Sequence, residues 1–390
     1  MLTAYKTVIG DFNFSIVILD YGNVNMLMKI AEGGTPMKNF DKKMTELSFF
    51  LENRRKPNFN NFLKLLKREK PDRPTLFELF LNDNLYQMLA NENFKDPKDK
   101  VNRYSVIIKA FAAAGYDYAT VYGSDMKFEA GKRYHENAKT VSLNEGAVIT
   151  DWESFKNYKW PDPDKYDYSY LKSLESVLPE GMKLMVMGPG GVLENVISLV
   201  GYERLCYMIV DEPDLATAIF DEVGQRLVRY YEISAAYDTV GMLMSNDDWG
   251  FNTQTMLSVD DMRKYVFPWH KKIVEVIHAA GKPALLHSCG NLSMVMDDVI
   301  DYMKYDAKHS YEDNIMPVEE AYERWGSRIA ILGGIDVDFI CRSTPEEVYN
   351  RACTILEKVD NRGGYALGSG NSIPYYVPVE NYFAMISAAY

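Results

Sequence analysis

The chain has 390 residues, of which 47% are hydrophobic, and it carries a formal net charge of −12. A chain this acidic has little of the basic surface that binds nucleic acid or an anionic membrane. Neither is therefore expected as the main partner. The hydrophobic content is ample for a large core, which excludes a disordered chain.

The cysteines and the apolar runs indicate the compartment. The four cysteines are sparse and widely separated, a pattern that suits free thiols in a reducing environment better than a disulfide framework. No apolar run near the start is long enough to span a membrane, and no basic segment precedes one as in an export signal. We therefore predict a cytoplasmic protein.

The chain changes character near residue 58. Residues 1–57 show weak periodicity, so we predict an N-terminal extension there. Residues 58–390 alternate short apolar runs with longer stretches of helical spacing, the pattern of repeated β/α units. Because no linker or low-complexity tract interrupts this part, we predict one domain over residues 58–390.

The apolar runs predict eight parallel strands. They cover residues 73–78, 118–123, 183–188, 239–245, 283–287, 305–309, 329–333 and 364–368. Helix-like segments lie between successive runs, so the predicted fold is of the α/β class, a closed (β/α)8 TIM barrel.

Two of the predicted helices have clear boundaries. Thr344, Pro345 and Glu347 combine an N-cap, a first-turn proline and a capping-box glutamate, which predicts a helix start. Ser258 can cap a second helical segment, in which Pro268 should kink or split the helix.

Polar residues follow most of the predicted strands. In a β/α barrel the catalytic groups come from the C-terminal ends of the strands and from the loops after them. The residues at these ends include Asp125, Asp247, Asp248, His287, Cys289, His309, Glu312, Asp313 and Asn371. We expect these residues to lie on one rim.

His287 and Cys289 form a candidate metal site. Two residues apart on an extended chain, their side chains point to the same side, and zinc accepts both imidazole nitrogen and thiolate sulfur. The alternative is a packed histidine and cysteine without a metal. Asp247 and Asp248 could serve as general base, metal ligand or substrate clamp, or else as a helix cap or a loop ion pair.

These motifs resemble the uroporphyrinogen decarboxylase superfamily, which also contains cobalamin-dependent methyltransferases. The resemblance covers roughly residues 58–390. The stretches that carry it are residues 66–74, 247–250, 287–291, 333–336 and 378–381.

The methyltransferase branch implies a zinc site. In those enzymes a His-x-Cys-Gly segment and a later cysteine hold zinc, which activates an acceptor thiol toward methylcobalamin. His287 and Cys289 match the segment, and Asn371 stands where the later cysteine would fall. The candidates for the missing ligand are Asp247, His309, Glu312 and Asp313.

The decarboxylase branch implies a different site. Those enzymes bind a substrate rich in carboxylates through two arginines after the first strand and use an aspartate after the second. Asp125 matches the aspartate, but Leu79 and Asp83 stand at the arginine positions. Losing two cations and gaining an anion should disfavour a polyanionic substrate.

The predicted function is therefore methyl transfer between a small substrate or thiol and a corrinoid, assisted by zinc at His287 and Cys289. Asp125, Asp247, Asp248 and Asn371 are the predicted catalytic or substrate-orienting residues. The predicted partners are a small-molecule substrate, a protein that carries the corrinoid, and a second copy of the chain. Two alternatives stay open: a decarboxylase in which Asp125 stabilises a cationic intermediate, and a non-catalytic binder of a corrinoid or tetrapyrrole.

Overall fold

The computed structural model describes residues 40–96, 98–131, 142–359 and 362–390, together with the backbone of three strands within the first 31 residues. The chain divides into two compact units, Met1–Asp41 and Lys42–Tyr390. The domain boundary at residue 57 stays a prediction.

The first unit contains a three-stranded antiparallel sheet. Its strands are β1 (Thr3–Ile9), β2 (Phe12–Tyr21) and β3 (Val24–Ala31), and β2 pairs with both of the others. Antiparallel pairing of consecutive strands is the arrangement that short connections allow.

The second unit is built on a seven-stranded parallel sheet. Its strands are β4 (Tyr118–Tyr122), β5 (Lys183–Met187), β6 (Val240–Asn246), β7 (Ala284–His287), β8 (Ala307–His309), β9 (Ala330–Leu332) and β10 (Tyr365–Ala366). Neighbours in the sheet are neighbours in the chain, and the intervening segments contain helices. All seven strands lie at predicted positions, so the α/β class is confirmed. Their mostly buried, apolar residues suit a parallel sheet that is covered on both faces.

The predicted first strand does not join the ladder. Within residues 73–78 only Leu76 makes a parallel bridge, to Leu367 after β10. On the other side the Tyr118 hydroxyl donates to the Glu78 carbonyl at 2.7 Å and accepts the Glu78 amide at 2.9 Å, so a side chain replaces strand pairing. Pro74 also has no amide hydrogen to donate. The sheet is therefore a curled seven-strand half-barrel, so the TIM-barrel-like fold is confirmed and its closure by an eighth strand is not.

Helices occupy the connections. Those of the described residues are α1 (Leu47–Glu52), α2 (Phe59–Leu66), α3 (Asp83–Ala90), α4 (Lys100–Ala113), α5 (Trp152–Asn157), α6 (Tyr170–Ser173), α7 (Val192–Val200), α8 (Tyr202–Asp211), α9 (Pro213–Ala235), α10 (Val259–Asp261), α11 (Phe267–Ala279), α12 (Val318–Trp325), α13 (Val337–Arg342), α14 (Pro345–Val359) and α15 (Val379–Ser387). Across the described part of the chain, none of the helices combines the length and the apolar character needed to cross a membrane.

Both predicted helix boundaries are present. Before α14, Thr344 Oγ1 accepts the Glu347 amide at 3.3 Å and Glu347 Oε2 accepts the Thr344 amide at 2.7 Å, which completes the capping box. Ser258 caps α10, which continues through the π-helical turn Met262–Val266 into α11. Pro268 lies in the first turn of α11, where its missing amide hydrogen costs least.

We expect Thr344→Ala to lower the free energy of unfolding by about 1 kcal/mol, because the N-cap hydrogen bond is lost. Thr354→Ala is the matched control, since that hydroxyl donates to Asn350 O at 2.9 Å inside the same helix and caps nothing. Urea unfolding of both variants measures the difference. Equal losses in the two would contradict the capping role.

Candidate metal centre

Three of the predicted residues meet at the C-terminal ends of β6 and β7. His287 Nε2 lies 3.6 Å from Cys289 Sγ and 3.9 Å from Asp248 Oδ1. One ligand atom from each of the three residues lies within 4.8 Å of the other two. We call this group the Asp248–His287–Cys289 triad. It is the grouping in the described residues that could hold a metal ion.

Local backbone geometry brings the two loops of the triad together. Asp248 Oδ1 accepts the Cys289 amide at 2.9 Å, which ties the loop after β6 to the loop after β7. Gly290 has a φ of +84°, and a Cβ added there would lie 2.1 Å from the Gly250 carbonyl oxygen. Only glycine therefore lets these loops approach so closely.

When no metal is bound, burial determines the protonation states of His287 and Cys289. It lowers the pKa of His287 to about 4, against a smaller opposing effect of the Asp248 carboxylate, so the imidazole is neutral at pH 7. Burial, and then the Asp248 carboxylate, raise the pKa of the Cys289 thiol well above its usual range. A bound cation would supply the positive charge that a thiolate needs at this position.

The third donor of the triad is a carboxylate. Asn371 lies beside the triad, as the resemblance implied, and its Nδ2 donates to Cys289 Sγ at 3.6 Å. Asp248, for which metal ligation was one of several predicted roles, contributes the oxygen. Its side chain is 44% exposed, so the triad is open on one side.

The four candidates for the missing ligand lie elsewhere. His309 is behind His287, with the two Nδ1 atoms 2.9 Å apart. Asp313 is paired with Arg351, at 2.6 Å between Oδ2 and Nη1. Glu312 lines a neighbouring cavity.

The fourth candidate, Asp247, is fully buried beneath the rim. Its two carboxylate oxygens accept the amides of Leu193 and Glu194, each at 2.9 Å, and Oδ2 also lies 2.9 Å from His270 Nε2. These contacts are those of the helix-cap alternative, because they satisfy amides in the first turn of α7.

Asp125 lies outside the triad. Its side chain is 78% exposed and pairs with Lys100 Nζ at 2.7 Å. Of the two positions where the decarboxylase branch has arginines, Leu79 is buried and Asp83 pairs with Arg103 at 2.9 Å. Neither residue adds a cation to the rim.

Three ionisable residues near the rim, two buried and one partly buried, were not among the predicted site residues. Lys308 donates to the Ser310 carbonyl, and burial lowers its pKa to about 8. Burial, and then the carboxylates of Asp247 and Asp248, raise the pKa of Glu194 to about 8. Burial also raises the pKa of Glu78 to about 8. The one signal in the sequence was a charged residue within or beside an apolar run.

A cavity of about 1040 Å³ adjoins Asn371. Its lining includes Tyr311, Glu312, Asp336, Phe339 and Tyr376. This volume is sufficient for a small-molecule substrate, and Asn371 of the lining also contacts Cys289 of the triad.

Comparisons with known proteins agree with this architecture. The family model described as "Uroporphyrinogen decarboxylase (URO-D)" matches residues 121–390. A uroporphyrinogen decarboxylase of Anaeromyxobacter sp. (strain Fw109-5) is 24% identical over 276 residues, which cover 69% of this chain and 75% of the relative. That of Anaeromyxobacter dehalogenans (strain 2CP-C) is 24% identical over 280 residues, with the same coverage of 69% and 75%.

A solved structure is similar in fold. It is described as a methyltransferase from Methanosarcina mazei, and it superposes with a TM-score of 0.60 at 16% sequence identity. The match covers 84% of this chain and 96% of that chain. At this identity the similarity concerns the fold alone.

Glu78 should make stability depend on pH. Its pKa of about 8 in the folded chain exceeds the ordinary value of 4.5, so between these values the folded state binds more protons than the unfolded state. The contribution of Glu78 to the free energy of unfolding is therefore complete below about pH 4.5 and is lost as the pH rises to about 8.

We expect the unfolding free energy of the wild type, relative to that of Glu78→Gln, to fall between about pH 5 and about pH 8. Glutamine has nearly the same shape as glutamate and does not titrate, so subtraction removes the other ionisable groups. Urea unfolding at several pH values measures the difference. A difference that is constant with pH would contradict the raised pKa.

Proposed function

Because the chain belongs to the uroporphyrinogen decarboxylase family, we propose that it is an enzyme of that family which transfers a methyl group with the help of a bound metal. The observation that carries the proposal is the Asp248–His287–Cys289 triad. The fold similarity to the methyltransferase from Methanosarcina mazei supports it.

The triad fits zinc by the chemistry of its donors. A neutral imidazole, a thiol that can ionise and a carboxylate are all zinc ligands, and three protein ligands with one open side are typical of a catalytic site. When bound, zinc would supply Lewis acidity that lowers the pKa of a substrate thiol or polarises a methylated substrate. Asp248, His287 and Cys289 would hold the ion.

The surrounding residues would orient the substrate. Asn371 lies between the triad and the adjoining cavity, where its amide can hydrogen-bond a polar group of a small substrate. Asp125 keeps its predicted role, orientation of the substrate or movement of a proton, as part of the proposal. Asp247 does not, because its buried carboxylate caps α7. The donor or acceptor of the methyl group would be a corrinoid on a separate protein, and a second copy of the chain is a further proposed partner.

Zinc analysis of purified variants tests the triad. We expect about one zinc ion per chain in the wild type and strongly reduced zinc in His287→Ala, Cys289→Ala and Asp248→Ala, since each removes one of three ligands. The matched controls are His278→Ala and Cys341→Ala. His278 pairs with Asp306 at 2.8 Å, and neither control residue belongs to the triad.

Both controls should keep the zinc content of the wild type. Zinc that is unchanged in all three triad variants, or zinc that is absent from the wild type, would refute the metal-assisted function.

A decarboxylase is the second candidate, because the two Anaeromyxobacter relatives carry that name. In this alternative the Asp125 carboxylate stabilises a cationic intermediate by its charge, and no metal is needed. The substrate would be a pyrrole or aromatic acid with fewer carboxylates, since Leu79 and Asp83 offer no cation at the arginine positions.

Activity assays on two variants separate these candidates. For methyl transfer from methylcobalamin to a thiol, we expect His287→Ala to lose about 100-fold or more, because Lewis-acid assistance is worth several kcal/mol. Asp125→Asn should lose less. Release of CO2 from an aromatic acid that depends on Asp125 and tolerates His287→Ala would select the decarboxylase.

A further inference from the structure

The second ring nitrogen of His287, Nδ1, faces the core and not the triad. This nitrogen lies 2.9 Å from Nδ1 of His309, and His309 Nε2 lies 3.1 Å from the carbonyl oxygen of Ser369. His309 and Ser369 are completely buried. These atoms form a continuous row from the backbone after β10 to the triad.

The hydrogen positions in this row follow from the carbonyl. A carbonyl oxygen only accepts, so His309 Nε2 must carry a hydrogen. The described hydrogen-bond partners of His309 are this carbonyl and an imidazole, so no anion among them compensates a charge on the buried ring. A neutral imidazole carries one hydrogen, and His309 Nδ1 must therefore accept.

The position of the hydrogen on the His287 ring follows in the same way. Because His309 Nδ1 accepts, His287 Nδ1 donates, and the neutral ring of His287 has a bare Nε2. That nitrogen lies 3.6 Å from Cys289 Sγ and 3.9 Å from Asp248 Oδ1. A metal ligand needs such a lone pair. The opposite tautomer would place a hydrogen where the ion should sit.

The backbone around Ser369 holds the carbonyl in place. Glu78 accepts the Ser369 amide at 2.7 Å and the Ser369 hydroxyl at 2.8 Å. The carbonyl oxygen also accepts the Gly334 amide at 2.8 Å. A Cβ added at Gly333 would lie 2.2 Å from this oxygen and 3.1 Å from His309 Nε2, so glycine leaves the space for the hydrogen bond.

We propose that His309 is a positioning residue of the metal centre, which fixes the tautomer of His287 with Nε2 bare and directed at Asp248 and Cys289. Glu78 and Gly333 contribute by holding the Ser369 carbonyl. The inference rests on the proposed metal site. Hydrogen bonds of this kind to a ligand histidine are typically worth 10- to 100-fold in metal affinity.

Two substitutions at His309 distinguish the effect of losing its hydrogen bonds from the effect of losing its packing. Glutamine can reproduce the row, since its amide nitrogen can donate to the Ser369 carbonyl while its amide oxygen accepts from His287. Leucine fills space and offers neither. Tyr305→Phe is the control, because it removes the hydroxyl that lies 2.8 Å from His270 Nδ1 in a separate buried network.

Competition with a chromophoric chelator measures the affinity for Zn²⁺ and Co²⁺. We expect His309→Leu to weaken binding by about 10- to 100-fold and to change the visible spectrum of bound Co²⁺. His309→Gln should bind distinctly more tightly than His309→Leu, and Tyr305→Phe should match the wild type. Equal affinity in His309→Leu and wild type, or equal weakness in His309→Gln and His309→Leu, would overturn the inference.

A second measurement avoids the risk that a variant does not fold. With only five histidines in the chain, ¹⁵N NMR of the metal-free wild type can report the ring nitrogens directly. His287 should show a protonated Nδ1 and a bare Nε2, and the opposite assignment would overturn the inference. A wild type that binds neither metal would refute the proposed metal site as well, whereas unaltered binding in His309→Leu would refute the role of His309 alone.

Discussion

The hydrogen bond from the Cys289 amide to the Asp248 carboxylate is the contact on which the proposed metal centre depends. At 2.9 Å it joins loops that follow two neighbouring parallel strands, β6 and β7. Without it, the rim would offer His287 and Cys289 as two donors. With it, a carboxylate lies within reach of both, and the site gains a third donor. The glycine at position 290 permits the contact by letting the Gly250 backbone approach.

Much of the fold could be predicted from the sequence because the strands are short apolar runs separated by helices. The exception, residues 73–78, depends on a tertiary contact. The Tyr118 hydroxyl hydrogen-bonds with both the amide and the carbonyl of Glu78, which a neighbouring strand would otherwise pair with. The pattern of apolar residues carries no information on whether a side chain or a strand will satisfy a backbone group.

The site was predicted in its position and only partly in its composition. Successive side chains of an extended chain point in opposite directions, so of Asp247 and Asp248, which directly follow β6, only one is expected to face the rim. Which of the two does so depends on the first turn of α7, whose amides bind Asp247 and leave Asp248 free to face Cys289. That helix is more than 45 residues earlier in the chain, and the packing that brings it near cannot be read from local spacing. His309 likewise follows a strand end, as predicted, but lies behind His287.

The proposed function depends on the identity of the donors, one sulfur with nitrogen and oxygen, so X-ray absorption at the zinc K-edge of the purified protein tests it most directly. The account predicts a single sulfur at about 2.3 Å, with the remaining ligands being nitrogen or oxygen at about 2.0–2.2 Å. A shell with two or more sulfurs, or with none, would contradict the Asp248–His287–Cys289 triad as the metal centre.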